Sequence, residues 1–196
     1  MDKIVVSGQL SGIGKSSFIE KIIPGLCGEI TVVKTSINES VEETVISIEE
    51  DEDKAPNKDT GRYLKAGANK AVYVKSDIKK LNKSIDDLDN LVNDSDYLIY
   101  ESNSILNFIQ PDLLIYLRDN DMEKKLSAKM AEKRADLIID KAKKGFKIED
   151  IIFNQDKISC YKAHLVAEVL GESVGKIGRL IDSQRIKVKG CQLGLF

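Results

Sequence analysis

Ile4-Val5-Val6-Ser7-Gly8-Gln9-Leu10-Ser11-Gly12-Ile13-Gly14-Lys15-Ser16-Ser17 is the stretch that decides the fold. Its first three residues are apolar and β-branched, which predicts a buried strand, and Ser7-Gly8 predicts a tight turn after it. From Ser16 to Leu26, the residues Ile19, Ile22, Ile23 and Leu26 fall at i, i+3, i+4 and i+7, the apolar stripe of a helix that ends near Pro24-Gly25. Between strand and helix, Gly14-Lys15-Ser16 matches the end of the pattern G-x-x-x-x-G-K-[ST]. Gln9 stands where that pattern has its first glycine, and Gly8 comes one residue early. The chemistry of this spacing is phosphate binding. Backbone N–H groups of Ser11, Gly12, Ile13, Gly14, Lys15, Ser16 and Ser17 converge on phosphate oxygens at the start of a helix. Lys15 adds a positive charge at the outer phosphates, and the Ser16 hydroxyl is a ligand for Mg²⁺. An incidental Gly/Ser turn is the bland alternative; the strand before it and the helix after it weigh against that.

Working outward, further strands are predicted at Ile30–Lys34, Ala71–Val74, Tyr97–Tyr100, Leu113–Leu117, Asp136–Ile139 and Ile151–Phe153. Residues 39 to 53 carry eight acidic side chains and read as a solvated loop, or as a loop around one edge strand at Thr44–Ile48. Helices are predicted through Ile85, Leu88 and Leu91-Val92, and from Met122 to Arg134. Apolar strands alternating with helices predict an α/β fold, a mostly parallel sheet covered on both faces, of the P-loop NTPase type.

Composition agrees. The 196 residues, 42% hydrophobic and 32% charged, allow one domain and a small appendage. No apolar run approaches the roughly 18 residues of a membrane span, and a strand at the very start leaves no room for a secretory signal. With three cysteines, the expectation is a reducing cytoplasm and no membrane partner. A net charge of −2 excludes a simple polyelectrolyte binder of nucleic acid. Charge is uneven, however. Residues 1–155 hold 23 Lys+Arg against 28 Asp+Glu, whereas residues 156–196 hold 7 against 4. That asymmetry divides the chain into a nucleotide-binding domain, 1–155, and a small helical module, 156–196.

Glu101 closes a predicted strand, where a carboxylate can face the phosphate loop. It would hold Mg²⁺ or polarise an attacking nucleophile, so Lys15 and Glu101 are the candidate catalytic pair and Ser16 and Glu101 the candidate metal ligands. Asp59, in a polar segment able to reach the same cleft, is the rival carboxylate.

Residues 58–68 read Lys-Asp-Thr-Gly-Arg-Tyr-Leu-Lys-Ala-Gly-Ala. Taken with the loop before it, Lys34 at the end of the second strand and Glu101 after it, this segment resembles the MobB family, GTP-binding proteins of molybdopterin-guanine dinucleotide biosynthesis. Lys58-Asp59-Thr60 and Ala66-Gly67-Ala68 match in kind and spacing, and the resemblance covers roughly residues 3–140. Departures are Gln9, Thr35 in place of a histidine, and Ser102 in place of a glycine. The resemblance implies nucleotide binding through Lys34 and Asp59 as well as the loop, GTP rather than ATP, Mg²⁺, slow hydrolysis at most, and a homodimer. It also implies molybdopterin or the molybdenum cofactor guanylyltransferase as partners. On the residues alone, GTP and ATP stay open, since Asn154-Gln155-Asp156 is the nearest approach to a guanine-reading N-K-x-D string. Residues 58–68 read equally as a short helix with Asp59 and Thr60 at its start and Gly67 in its C-terminal turn, and Arg62 and Lys65 as possible phosphate contacts.

In the last forty residues, Tyr161–Leu170 predicts one helix, Gly171 a turn, and Val174, Ile177 and Ile181 a second helix. Ala167, Gly171 and Ile177 fit the spacing of a helix-turn-helix, Ile186–Lys189 a wing strand, and Lys176, Arg179, Arg185, Lys187 and Lys189 a basic surface. Gly175 and Gly178 leave few side chains to read bases, so DNA is the less favoured partner. Cys160 and Cys191 bracket the module, as buried thiols or, less favoured, as half of a metal site shared across a dimer; the tail 192–196 is expected to dock. Cys27 reads as a packing residue and His164 as a surface residue. Alternatives to the accessory-protein reading are a nucleotide-regulated DNA- or protein-binding module, and an ATP-dependent small-molecule kinase or ligase.

Overall fold

The computed structural model describes residues 1–51, 59–119, 126–140 and 147–190. Eight strands form one sheet in the order β3-β4-β2-β5-β1-β6-β7-β8. They are β1 (Asp2–Gly8), β2 (Ile30–Ile37), β3 (Val45–Glu49), β4 (Lys70–Ser76), β5 (Tyr97–Glu101), β6 (Leu113–Leu117), β7 (Leu137–Ile139) and β8 (Ile151–Phe153). The six central strands are parallel, and the two edges, β3 on β4 and β8 on β7, are antiparallel. The expected α/β class with a mostly parallel sheet is therefore the observed one. The acidic stretch does carry an edge strand, β3.

Apolar runs rather than alternating ones build the central strands because both faces are covered. Ile4, Val6, Val32, Ile99 and Ile115 point into one core with α1 (Lys15–Ile22), and Val5, Val33, Tyr100, Leu114 and Tyr116 into the other, with α3 (Ile78–Leu91) and α4 (Leu126–Arg134). On α3, Leu81, Ile85 and Leu88 fall on one buried face, and Asp77 caps the helix by accepting the Lys79 N–H at 2.7 Å. Helix α2 (Asp59–Lys65) ends as anticipated at Gly67, which has φ 110°, and the Ala68 N–H closes back on the Tyr63 carbonyl. The start expected for α4 at Met122 lies outside the described residues.

Helices α5 (Cys160–Val169) and α6 (Val174–Ser183) follow, with β9 (Lys157–Ser159) and β10 (Lys187–Lys189) beside them. Ala163, Val166, Ala167, Ile177 and Ile181 join the same core as Ile4 and α1, so the helical pair shares its hydrophobic interior with the sheet. The strand expected as a wing forms, but it pairs in parallel with β9, the segment leading into α5, and makes no hairpin. Lys176 stays at the surface, its side chain 42% exposed, and is ion-paired to Glu172 at 2.8 Å because the two sit at i and i+4. Cys27 is exposed instead of packed, because the chain has left the core by Gly28. His164 is partly buried, Cys160 half-buried, and Cys191 with the tail 192–196 lies outside the described residues.

Candidate functional site

The chain leaves β1 toward β2 on one side of the sheet, and β6 later joins β1 on the other. This reversal opens a crevice at the carboxyl end of β1, the usual ligand position in such sheets. The loop 8–17 lies there. Gly12 and Gly14 take φ 77° and 102°, a left-handed backbone that glycine adopts without strain. Gly14 begins α1 and has no side chain with which to cap it, whereas α3, α5 and α6 start on Asp77, Ser159 and Ser173, each accepting a backbone N–H. The first turn of α1 therefore carries no side-chain cap.

The displaced glycine has a steric explanation. A Cβ on Gly8 would lie 2.5 Å from Ile13 Cγ2 and 3.3 Å from the Leu117 carbonyl oxygen, and Ile13 is fully buried. The close approach that demands glycine is at position 8. Gln9 is fully buried, and its Oε1 accepts the Asp119 N–H at 2.9 Å beyond the end of β6. From β5, Asn103 clasps Gly8 with two bonds of 2.9 Å, accepting its N–H and donating to its carbonyl. Two amide side chains thus fix the root of the loop to both neighbouring strands.

Around the loop, the predicted residues converge. Ser16 Oγ donates to Glu101 Oε2 at 3.0 Å, Lys34 Nζ to Glu101 at 3.3 Å, and Lys34 also pairs with Asp59. Lys15 Nζ donates to the Leu10 carbonyl at 3.3 Å, across the loop. The rival carboxylates therefore belong to one constellation, with Lys34 between them. Glu101 is only 7% exposed and receives a further hydrogen bond from the buried Tyr63 hydroxyl. Arg62 reaches Glu20 at 2.6 Å, Asp59 at 3.2 Å and Ser17 Oγ at 3.1 Å, stapling α2 to α1 beside the loop. Lys65 is exposed, outside the groove these residues line.

Burial opposes the charge on Lys34, but the hydrogen bond to Asp59 and the Glu101 charge overcome it and hold the ammonium above its ordinary value. Burial likewise raises the Asp59 carboxyl, and Lys34 and Arg62 more than reverse it, leaving it below the ordinary range. Burial first, and then the Glu101 charge, raise the Tyr63 hydroxyl far enough to keep it a neutral donor.

Among the described residues, no three His, Cys, Asp or Glu side chains come together as a metal cluster. Ser16 and Glu101 supply one hydroxyl and one carboxylate already 3.0 Å apart. That pair fits Mg²⁺ arriving with a nucleotide, since this ion keeps several waters and takes the rest of its shell from phosphates. Asn154 and Gln155 donate to the carbonyls of Glu132 and Ala135, tying β8 to the end of α4, which occupies them structurally.

Comparison with family models, curated proteins and solved structures finds no match for this chain.

Tyr63 and Asn103 belong to this site and sequence reasoning passed over both. Tyr63 had a signal: at i+4 from Asp59 it shares that residue's helix face. Asn103, two residues beyond the strand-terminal acid, had none.

Proposed function

We propose that this chain binds a nucleoside triphosphate with Mg²⁺ at the loop 8–17 and acts as a GTP-binding accessory protein in molybdenum cofactor maturation. One observation carries the nucleotide part: an uncapped helix start, Lys15 and Ser16 face Glu101 and Lys34 across the carboxyl ends of three neighbouring parallel strands. Lys15 and Lys34 neutralise the phosphates, Ser16 and Glu101 hold the metal, and Asp59 keeps Lys34 charged and in place. GTP and the partners, molybdopterin or the guanylyltransferase, rest on the resemblance of residues 58–68 and their surroundings to the MobB family. A homodimer is supported by β3, an edge strand that exposes Val45 (54%) and Ile48 (42%), the kind of edge that natural sheets cover. Hydrolysis is slow at most, and the place of action is the cytoplasm. No helix among the described residues is long and apolar enough to cross a membrane.

The test is calorimetric titration of the full chain with GTP and with ATP, each with and without Mg²⁺. The expected result is saturable binding of GTP, tighter than ATP, and strengthened by Mg²⁺. Absence of binding for both nucleotides would remove the proposal, and preference for ATP would favour the kinase or ligase alternative.

A further inference from the structure

Two hollows meet at the loop. One, around Gly12, Gly14, Ser16, Ser17 and Arg62, is the phosphate and metal groove described above. The other, about 380 Å³, extends from Lys15, Lys34 and Glu101 over the carboxyl ends of β2, β4 and β5. The two share Ser11, Lys15, Lys34 and Glu101, so the outer phosphate of a bound nucleotide would lie at their junction. Among the described residues, the groups suited to phosphate are confined to the near end of the second hollow, which leaves its far end open to a different ligand.

Its lining states what that occupant is. Its only charged groups among the described residues are the three at the junction. Beyond them come the hydroxyls of Ser36, Ser104 and Ser127, the Asn103 amide, and the flanks of Tyr73 and Ile37. Thr35 donates to Ser102, whose oxygen also accepts the Ile105 N–H at 3.1 Å, so this wall is fixed by its own hydrogen bonds. Once a triphosphate with its Mg²⁺ engages Lys15, Lys34 and Glu101, the described residues of this lining hold no further cation to pair with a second anion. Hydroxyl and amide groups with the aromatic flank of Tyr73 and the aliphatic flanks of Leu10 and Ile37 suit a neutral ring carrying hydrogen-bonding substituents.

We infer that this groove is a second ligand site, taking an uncharged, hydrogen-bonding ring compound beside a nucleotide held in the loop. The inference rests on the nucleotide reading above and adds a ligand class to it. Charge selection is its signature: with nucleotide bound, the groove favours neutral molecules over anions.

The experiment uses the full chain saturated with a non-hydrolysable GTP analogue and Mg²⁺, with loading checked by calorimetry. Matched pairs of probes, nicotinamide with nicotinate and myo-inositol with myo-inositol monophosphate, are followed by saturation-transfer NMR. At least one neutral member is expected to bind the loaded protein, about tenfold or more tightly than its anionic counterpart, in line with the lack of a further cation among the described residues of this lining. Ser36→Phe and Ser104→Phe, each filling the groove, should abolish that signal while nucleotide affinity stays unchanged. No neutral probe on the loaded protein, equal binding of both members of each pair, or signal surviving both variants would overturn the inference. Failure of the protein to load removes the nucleotide reading and this inference together; loading without neutral-probe binding removes this inference alone.

Discussion

Strand β5 carries a tyrosine–carboxylate hydrogen bond at each end. At its amino end, Tyr97 donates to Glu168 of α5; at its carboxyl end, Glu101 accepts from Tyr63 of α2. Burial and the neighbouring carboxylate raise the tyrosine hydroxyl in both. Around Tyr97 the neighbouring polar groups close the sheet: Tyr161 donates to Asp2, Lys162 pairs with Asp136 at 2.7 Å, and Asp112 accepts the Lys3 N–H at 2.8 Å. Around Glu101 they converge on an open groove lined by Lys34, Ser16 and the loop residues Gly12 and Gly14. Glu168 is exposed and Glu101 buried, and an acid with a tyrosine partner is thus no site in itself. Convergence of donors and cations on accessible space makes one, and the parallel sheet supplies that space at one end only.

The largest effect expected from breaking this contrast is at Lys15. Lys15→Ala removes a charged donor from the outer phosphates and should weaken nucleotide binding about 100-fold, about 2.7 kcal/mol, with circular dichroism and melting temperature unchanged. Unaltered affinity would sever the loop from the function. Glu101→Gln comes next. It keeps the shape but loses the metal-binding charge, so affinity in Mg²⁺ should fall about tenfold while affinity in chelator barely moves. Equal losses in both conditions would make Glu101 only a tyrosine's hydrogen-bond partner, like Glu168.

A subtler change restores the first glycine of the loop pattern. Gln9→Gly should weaken nucleotide binding severalfold and destabilise the fold by about 1–3 kcal/mol, because the Asp119 N–H loses its buried acceptor. A gain in affinity would show that the amide brace at the loop root does nothing. Tyr63→Phe and Tyr97→Phe then form a matched pair. Each should lower stability by about 1 kcal/mol, and only Tyr63→Phe should change the Mg²⁺ dependence of binding.

Smallest is the pH response of Asp59. Its carboxyl titrates below the ordinary value of 3.8, so its stabilising pairing with Lys34 is fully present above that pH and is lost as pH falls through the folded-state value. At high pH the ammonium of Lys34, raised above 10.5, releases its proton and ends the pairing from the other side. Asp59→Asn should therefore flatten the acid limb of a melting-temperature profile below about pH 4 and leave the limb near neutrality in shape. An unchanged acid limb would mean that the pairing adds nothing to stability.

Much of this arrangement is legible in the chain. The apolar runs at Ile4–Val6, Tyr97–Tyr100 and Leu113–Leu117 announce strands buried on both faces, and Gly14-Lys15-Ser16 announces the loop. Glu101 is legible because an acid ends an otherwise apolar strand. Asn103 is not, since its role is to clasp a backbone 95 residues away, and no local pattern encodes such a partner. Gln9 looks like a defect until Gly8 is seen against Ile13, a clash that exists only once the loop has folded back. The wing misled for a similar reason: Lys187-Val188-Lys189 alternates as a strand should, but alternation does not say whether the neighbour is a hairpin partner or the parallel segment ahead of α5.

The contrast between the two ends of the sheet is tested most directly by backbone amide NMR on the full chain titrated with GTP and Mg²⁺. Saturable shifts are expected at Gly12, Gly14, Lys15, Ser16, Lys34 and Glu101, with Asp2, Tyr97, Tyr161 and Glu168 unmoved. Shifts gathered at the second group, or none at either end, would contradict it.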